Sequence, residues 1–371
     1  MVSRSMKSLL VLAFSLISLL FSNNTFAIGT ADSTNSHHKA EKFDVAKTIL
    51  DHIRDDYSWH LWGHTSIPLP VILYSDKGLE VFSSAKLMDE HHSPIIYQGN
   101  YSYKNIEGKI KVVNADGTVN AELNSKVWDF SFTKNVASLF ISVFILLAVF
   151  LTVGAAYKKR GVSSAPKGLQ SFMEPVVLFI RDEVAKPNIG HKYNTYLPFI
   201  LTIFFLILIN NLLGLVPFFP GGANLSGNIA FTMTLAVFVF IVVNIKGNKS
   251  YWGHIFWMPG MHWGMKLFLA PIELVGVFTK PISLTIRLFA NMTAGHILVL
   301  SLICLIFIFE NIFTSIVAVP FAAFIGLIEC LVAFIQAFIF AMLSSMYIGM
   351  AIEEHHHHGD NEPHYNESDE N

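Results

Sequence analysis

The sequence predicts an all-α polytopic membrane protein. Five membrane-crossing helices are expected, the last two forming a long, strongly tilted C-terminal helical hairpin, with a small exported α+β domain at the N-terminus. Three observations carry that expectation. Charged residues make up only 14% of the 371-residue chain and hydrophobic residues 53%, with 32 Phe and a mean hydropathy of +0.49; ordinary soluble domains carry about 25% charge. The apolar residues cluster into runs that reach the roughly 20 residues a helix needs to cross a bilayer. One polar stretch of about a hundred residues, 28–130, stands apart from those runs. Net charge is −2, which suggests no nucleic-acid partner. Cys304 and Cys330 both lie in apolar runs and read as small buried hydrophobes.

The first segment, 1–27, reads as a cleaved signal peptide. Arg4 and Lys7 precede an apolar core from Leu9 to Phe21, and Thr25-Phe26-Ala27 is a plausible cleavage site. The extracytoplasmic domain follows at 28–130. Phe43, Ala46, Ile49 and Ile53 have helical spacing, while hairpins are expected around Asp76-Lys77-Gly78 and Ala115-Asp116-Gly117. His52, His60, His64, His91 and His92 show no recurring ligand spacing, so they read as surface histidines rather than a metal site.

The membrane domain is expected over 131–352. Asn135 to Tyr157 is free of charge and ends at Lys158-Lys159-Arg160, which places that end in the cytoplasm. The mixed segment 168–188 reads as an interfacial helix on the inner surface. Tyr196–Val216 crosses outward and Ser226–Ile245 returns, ending at Lys246 and Lys249. The Trp- and His-rich stretch from Tyr251 to Lys266 suits the membrane interface. Leu267–Phe309 and Asn311–Met350 are each about forty residues, roughly 60 Å as helices. The hydrocarbon core is about 30 Å thick. These two must tilt strongly, bend or break, with Pro271, Pro281 and Pro320 as candidate bend points. The acidic tail 353–371, with its four histidines, reads as a solvated cytoplasmic segment.

Inside these apolar runs sit Glu273, Lys280, Ser283, Arg287, Asn291, His296, Glu329 and Gln336. A central arginine costs at least about 2.5–3.5 kcal/mol in a bilayer, so a purely structural role is a weak account of Arg287. At 100° per residue, Ser283, Arg287 and Asn291 share one face. Glu273 is fourteen residues earlier, roughly 21 Å toward the cytoplasm and about 40° off that face. His296 is nine residues later, roughly 13 Å outward and on the opposite side. Glu329 and Gln336 share a face of the last helix. Glu and His exchange protons, whereas arginine keeps its charge. The pattern is two titratable sites offset to opposite sides of the membrane, separated by a fixed positive charge. A proton would have to be ferried around that charge by a carboxylate on another subunit.

At these residues the sequence resembles subunit a of the F-type ATP synthase. KPISLTIRLFANMTAGHIL is similar to that family's signature around its essential arginine, and AFIQAFIFAMLSSMYIGMAIEEH to its C-terminal helix. EPVVLFIRDEVAKPNIG and YLPFILTIFFLILINNLLGLVP resemble its second and third segments, so the likeness covers roughly 130–355. The resemblance implies a non-catalytic, ion-translocating subunit without a cofactor or metal, in a bacterial inner membrane. The N-terminal domain would be periplasmic and the C-terminus cytoplasmic. Its implied partners are the ring of c subunits, whose carboxylate would face Arg287, the b subunits of the peripheral stalk, the rest of the synthase, and lipid. Asn291 and Gln336 would support the ring contact, His296 and Glu329 would line the outer half-channel, and Glu273 and Ser283 the inner one. Asn211 would line the outer access path. The histidine precedes the acid here, an order that family members show both ways. The leader, the domain at 28–130 and the His-rich tail exceed the family pattern. A secondary transporter with a midplane site is the competing class, but it predicts internal repeats, and the two halves of this chain differ in length and charge placement.

Overall fold

The computed structural model describes residues 45–62, 65–89, 94–114, 116–161, 165–216, 219–257, 262–309 and 311–352. The leader 1–27, the tail 353–371, Phe43, His64, His91 and His92 lie outside the described residues.

The N-terminal domain is α+β. Helix α1 (Val45–Ile53) precedes strands β1 (Ser58–Trp62) and β2 (Thr65–Pro68), which pair antiparallel. Strands β3 (Pro70–Ser75), β4 (Gly78–Ser83) and β8 (Trp128–Asp129) form a sheet in the order β4-β3-β8. Strands β5 (Tyr97–Gln98), β6 (Ser102–Ile106) and β7 (Lys109–Val112) form another, and a one-turn helix α2 (Ala121–Asn124) leads toward β8. Val71 and Leu73 alternate inward with Phe82, and meet Tyr57, Leu87, Tyr103 and Val112 in a small core.

The hairpin around Asp76-Lys77-Gly78 is present, with Ser75 paired to Gly78. The one expected at 115–117 is reduced to a single bridge between Val113 and Val119. A further hairpin is β6–β7, turning at Glu107 and Gly108. Both residues have positive φ, 53° and 72°. A two-residue turn with positive φ at both positions matches the right-handed twist of its strands. Asp116-Gly117 looked the stronger turn signal, yet the strand partner for Lys109–Val112 lies before it in the chain.

Among the described residues, five helices are long and apolar enough to cross a membrane. Helix α3 (Lys134–Arg160) is capped by Thr133, whose side chain accepts from the Val136 amide. The helical run that begins with the segment expected on the inner surface turns at Gly190, where φ is 69°, and goes on into the next span. It comprises α4 (Leu169–Phe179), a π-turn (Ile180–Ala185), α5 (Lys186–Ile189), a 3-10 turn (Gly190–Lys192) and α6 (Tyr193–Leu215). Ile180, Val184 and Ala185 are fully buried in the membrane core. The apolar face of this segment therefore packs on protein.

Helix α7 (Ile229–Lys246) and the short α8 (Lys249–Phe256) lead into α9 (Trp263–Phe309) and α10 (Ile312–Ile352). Pro271, Pro281 and Pro320 all lie inside continuous helices, so none of them breaks its helix. Asn311 opens α10 by accepting the Phe313 amide at 3.0 Å. Helix α10 packs on α6 and α9, α9 also on α7, and α3 on α6. Asn248 closes the far end of α10, donating to Ala351 O and Ile352 O at 2.9 Å each. These bonds satisfy carbonyls that a helix end otherwise leaves unpaired. Cys304 is buried as expected, but Cys330 is exposed on the outer surface of α10.

Domain and membrane region are joined by backbone. Lys134 N donates to Asp56 O at 2.8 Å and Asn135 N to Asp55 Oδ1 at 3.0 Å. Trp59 Nε1 donates to Gly221 O at 3.0 Å, and its ring meets Phe219 edge-on at 5.3 Å. The domain thus sits at the end of the bundle where α3 begins and the α6–α7 loop turns.

Candidate functional site

The site is built on α9 and α10. Val277, Leu284, Leu288 and Met292 form the buried seam of α9. Ser283, Arg287 and Asn291 occupy the adjacent row, one residue or about 100° away from three of these seam positions. Ser283 and Asn291 are exposed and Arg287 is half-buried, so this row is an open face of the chain. Helix α10 turns Glu329, Ala333, Gln336, Ala337 and Phe340 inward. Arg287 and Gln336 line one small cleft with Leu284, Leu288, Ile339 and Phe340.

Nine residues along α9 from Arg287, toward the N-terminal domain, His296 meets Glu329. His296 Nδ1 lies 3.2 Å from Glu329 Oε1. The approach is close but off-line for a hydrogen bond, and Glu329 Oε1 and His296 Nε2 are both buried without a hydrogen-bond partner among the described residues. Gly295 makes this meeting possible, and Gly214 borders it. A Cβ on Gly295 would sit 2.6 Å from Glu329 Oε1, and one on Gly214 would sit 3.6 Å from His296 Nε2. The His296–Glu329 pair is therefore enclosed between α6, α9 and α10.

Asn211 is fully buried, and its Nδ2 donates to Ala333 O at 3.1 Å. It ties α6 to α10 one turn from Glu329, at a helix–helix contact rather than at an open mouth. Glu273 is not brought to this cluster, since it lies some twenty residues, roughly 35 Å, from His296 on the same helix. It shares its neighbourhood with Lys280 and with Tyr251 of α8. Lys280 Nζ stands 5.2 Å from the centre of the Tyr347 ring, and both line a cavity with Asn244, Tyr251 and Pro281.

Several polar residues escaped the sequence reading. Asn135, Ser138 and Ser142 are buried on one face of α3. Asn135 Oδ1, Ser138 Oγ, Asn210 Oδ1, Ser226 Oγ and Thr293 Oγ1 are buried without a protein partner. At the far end, Asn244 Oδ1 and Tyr251 OH are in the same condition. The i, i+3, i+7 spacing of Asn135, Ser138 and Ser142 was a readable signal. The others are scattered over α6, the α6–α7 loop, α7, α8 and α9, with no shared spacing.

Chemically, the arrangement offers a fixed cation on an open helix face, a buried His–Glu pair on one side of it, and a Glu–Lys–Tyr group on the other. Among the described residues, no three His, Cys, Asp or Glu side chains gather as a metal site would require.

Comparison with known proteins bears on the same residues. Residues 136–349 match the family described as ATP synthase A chain. Residues 48–130 match a family described as a domain of unknown function. The chain is 46% identical over 230 residues to ATP synthase subunit a 2 of Chlorobaculum tepidum, covering 60% of this chain and 64% of that one. It is 50% identical over 229 residues to ATP synthase subunit a 2 of Chlorobium luteolum, covering 60% and 66%. It is 38% identical over 340 residues to ATP synthase subunit a of an Anaeromyxobacter species, covering 89% and 75%. The chain thus spans just under two thirds of the first two relatives.

Proposed function

The chain belongs to the ATP synthase A chain family, and from that premise we propose that it is the ion-translocating stator subunit of a rotary F-type ATP synthase. The single observation that carries the reading is the open face of α9, where half-buried Arg287 stands between Ser283 and Asn291 beside Gln336. An arginine kept in an apolar helix on a surface, with no carboxylate paired to it among the described residues, needs a counter-charge from elsewhere. A carboxylate on a ring of c subunits supplies it, neutral while it faces lipid and ionised while it faces Arg287.

Protons enter from the side of the N-terminal domain, which is read as periplasmic. They pass the buried polar groups of α3 and Asn211 to the His296–Glu329 pair, and load the ring carboxylate. After rotation they leave toward the cytoplasm past Ser283, Lys280 and Glu273. Buried polar atoms without protein partners at both ends supply the hydrogen-bonding capacity that a hydrated path uses. Arg287 prevents a direct leak between the two half-channels because it does not release its proton. Each elementary charge crossing 100 mV delivers about 2.3 kcal/mol to rotation. His296 and Glu329, both proton-exchanging groups, favour a proton over sodium. The chain itself makes and breaks no covalent bond, and the b subunits would hold it against the torque.

The test is replacement of Arg287 in the assembled, purified complex. Arg287→Ala abolishes ATP synthesis coupled to proton flow. Arg287→Lys fails too, because lysine keeps the charge but lacks the planar fork. Full coupling in either variant overturns the reading.

A further inference from the structure

The β4-β3-β8 sheet of the N-terminal domain is apolar on both faces. One face, with Val71, Leu73 and Phe82, packs on the domain core. The other carries Leu79 and Val81 on β4, Ile72 and Tyr74 on β3, and Trp128 and Phe130 along β8. Their alignment follows from the pairing: Tyr74 faces Leu79 and Trp128, Ile72 faces Val81, and Phe130 N donates to Ile72 O. Ile72 is half-buried, and exposure of the other five runs from 53% at Tyr74 to 65% at Trp128. An antiparallel sheet with one face on its core ordinarily presents polar residues on the other. This face is built to be covered.

We propose that it rests on the lipid of the adjoining leaflet, so that the N-terminal domain is held to the membrane by its own sheet as well as by α3. Continuity with the membrane span selects lipid as the occupant. The strand runs on from Phe130 to Phe132, whose amide donates to Pro70 O, and α3 begins two residues later. The Phe132 ring meets the Phe140 ring at 5.6 Å. Phe140 lies six residues, about 9 Å, down the span, and Phe140 and Phe144 are both exposed on it. Phe132 therefore bends toward the membrane, and it shares its face with Phe130 and Trp128. Helix α3, at 27 residues, is about 40 Å long, which matches the bilayer with its headgroup layers. That places β8 at headgroup level, where Trp and Tyr are favoured.

The test uses the full chain in phosphatidylethanolamine and phosphatidylglycerol vesicles, with Cys304 and Cys330 replaced by alanine and a spin label at Val81→Cys. Collision with oxygen, which concentrates in lipid, is compared with collision by a water-soluble nickel chelate. Phe144→Cys supplies the lipid-facing reference and Lys109→Cys, on the β6–β7 hairpin, the water-facing one. The expected oxygen-to-chelate ratio at position 81 is clearly above that at 109 and below that at 144, which lies ten residues, about 15 Å, down the span. Leu79→Cys gives an independent reading of the same face, should the label at 81 disturb its strand. A ratio equal to that at 109 overturns the proposal and leaves the face for another protein. Exclusion of both colliders also overturns it and points to contact between copies.

Discussion

Gly295→Ala is the sharpest probe of the His296–Glu329 meeting. The added Cβ would lie 2.6 Å from Glu329 Oε1, 2.9 Å from its Cδ and 3.1 Å from its Cγ. Ordinary contact begins near 3.4 Å, so the carboxyl must withdraw by several tenths of an ångström to almost one. Glu329 is buried and its neighbour Ala333 is fully packed, so there is little room for it to withdraw. Such overpacking costs about 1–3 kcal/mol. If the barrier to proton transfer absorbs that cost, conduction falls about 5- to 150-fold, at roughly 1.4 kcal/mol per tenfold. The assay is proton uptake through the assembled membrane sector in vesicles under an imposed potential, normalised to the amount of complex present. Gly276→Ala, on the same helix but with nothing within 4 Å of the new methyl, is the control and conducts like the parent. Shortening the acid with Glu329→Asp in the Gly295→Ala background restores part of the loss, a non-additivity that only direct contact produces. Parental conduction by a normally assembled Gly295→Ala complex refutes the reasoning.

Other perturbations test the frame around the site. Asn211→Leu removes the bond to Ala333 O; interhelical hydrogen bonds in membranes average about 0.6 kcal/mol, so denaturant unfolding in detergent shifts only slightly. A loss above about 2 kcal/mol would show that Asn211 does more than join α6 to α10. Gly349→Ala sets a methyl 1.8 Å from Asn188 O. Because that atom is backbone, the end of α10 must part from the α5 segment, and melting of the full chain falls by an amount equivalent to at least 1–3 kcal/mol. Burial and the hydrogen bond to Asp129 hold the Tyr57 phenol above its ordinary 10.0. The folded domain therefore keeps a proton that the unfolded chain releases above that pH. Stability is complete below about pH 10 and falls as pH rises, by up to about 1.4 kcal/mol per pH unit. Limited proteolysis of the domain across pH 9–12 reads this slope. Tyr57→Phe flattens it, and an unchanged slope would assign the alkaline loss to another group.

Lipid explains why so much of this chain was legible. A bilayer offers no hydrogen bonds to the backbone, so each crossing needs a helix and about 20 apolar residues in unbroken order. That is a local property, and all five spans can be located from it. The row Ser283, Arg287, Asn291 and the opposite placement of His296 follow from helical period alone. The family signature around Arg287 is likewise a run of consecutive residues. The domain at 45–130 was read less well for the converse reason. Its strands are short and pair across distant residues, so the Asp116-Gly117 signal outweighed Glu107-Gly108, where the hairpin forms with a glutamate at positive φ.

What spacing could not supply was the register between helices. Which turn of α10 faces His296 depends on how 41 residues of α10 slide against 47 of α9. The contact at 3.2 Å exists because Gly295 leaves room for it. The same holds for the segment 169–192, where spacing does not say that Ile180, Val184 and Ala185 pack on the other helices of the bundle. The sequence by itself determined the crossings, the fixed charge and the face that carries it, because each depends on the period of a single helix in lipid. Tertiary structure alone decided which acid meets the histidine and which buried polar groups adjoin them, because those depend on side-chain volumes summed across several helices.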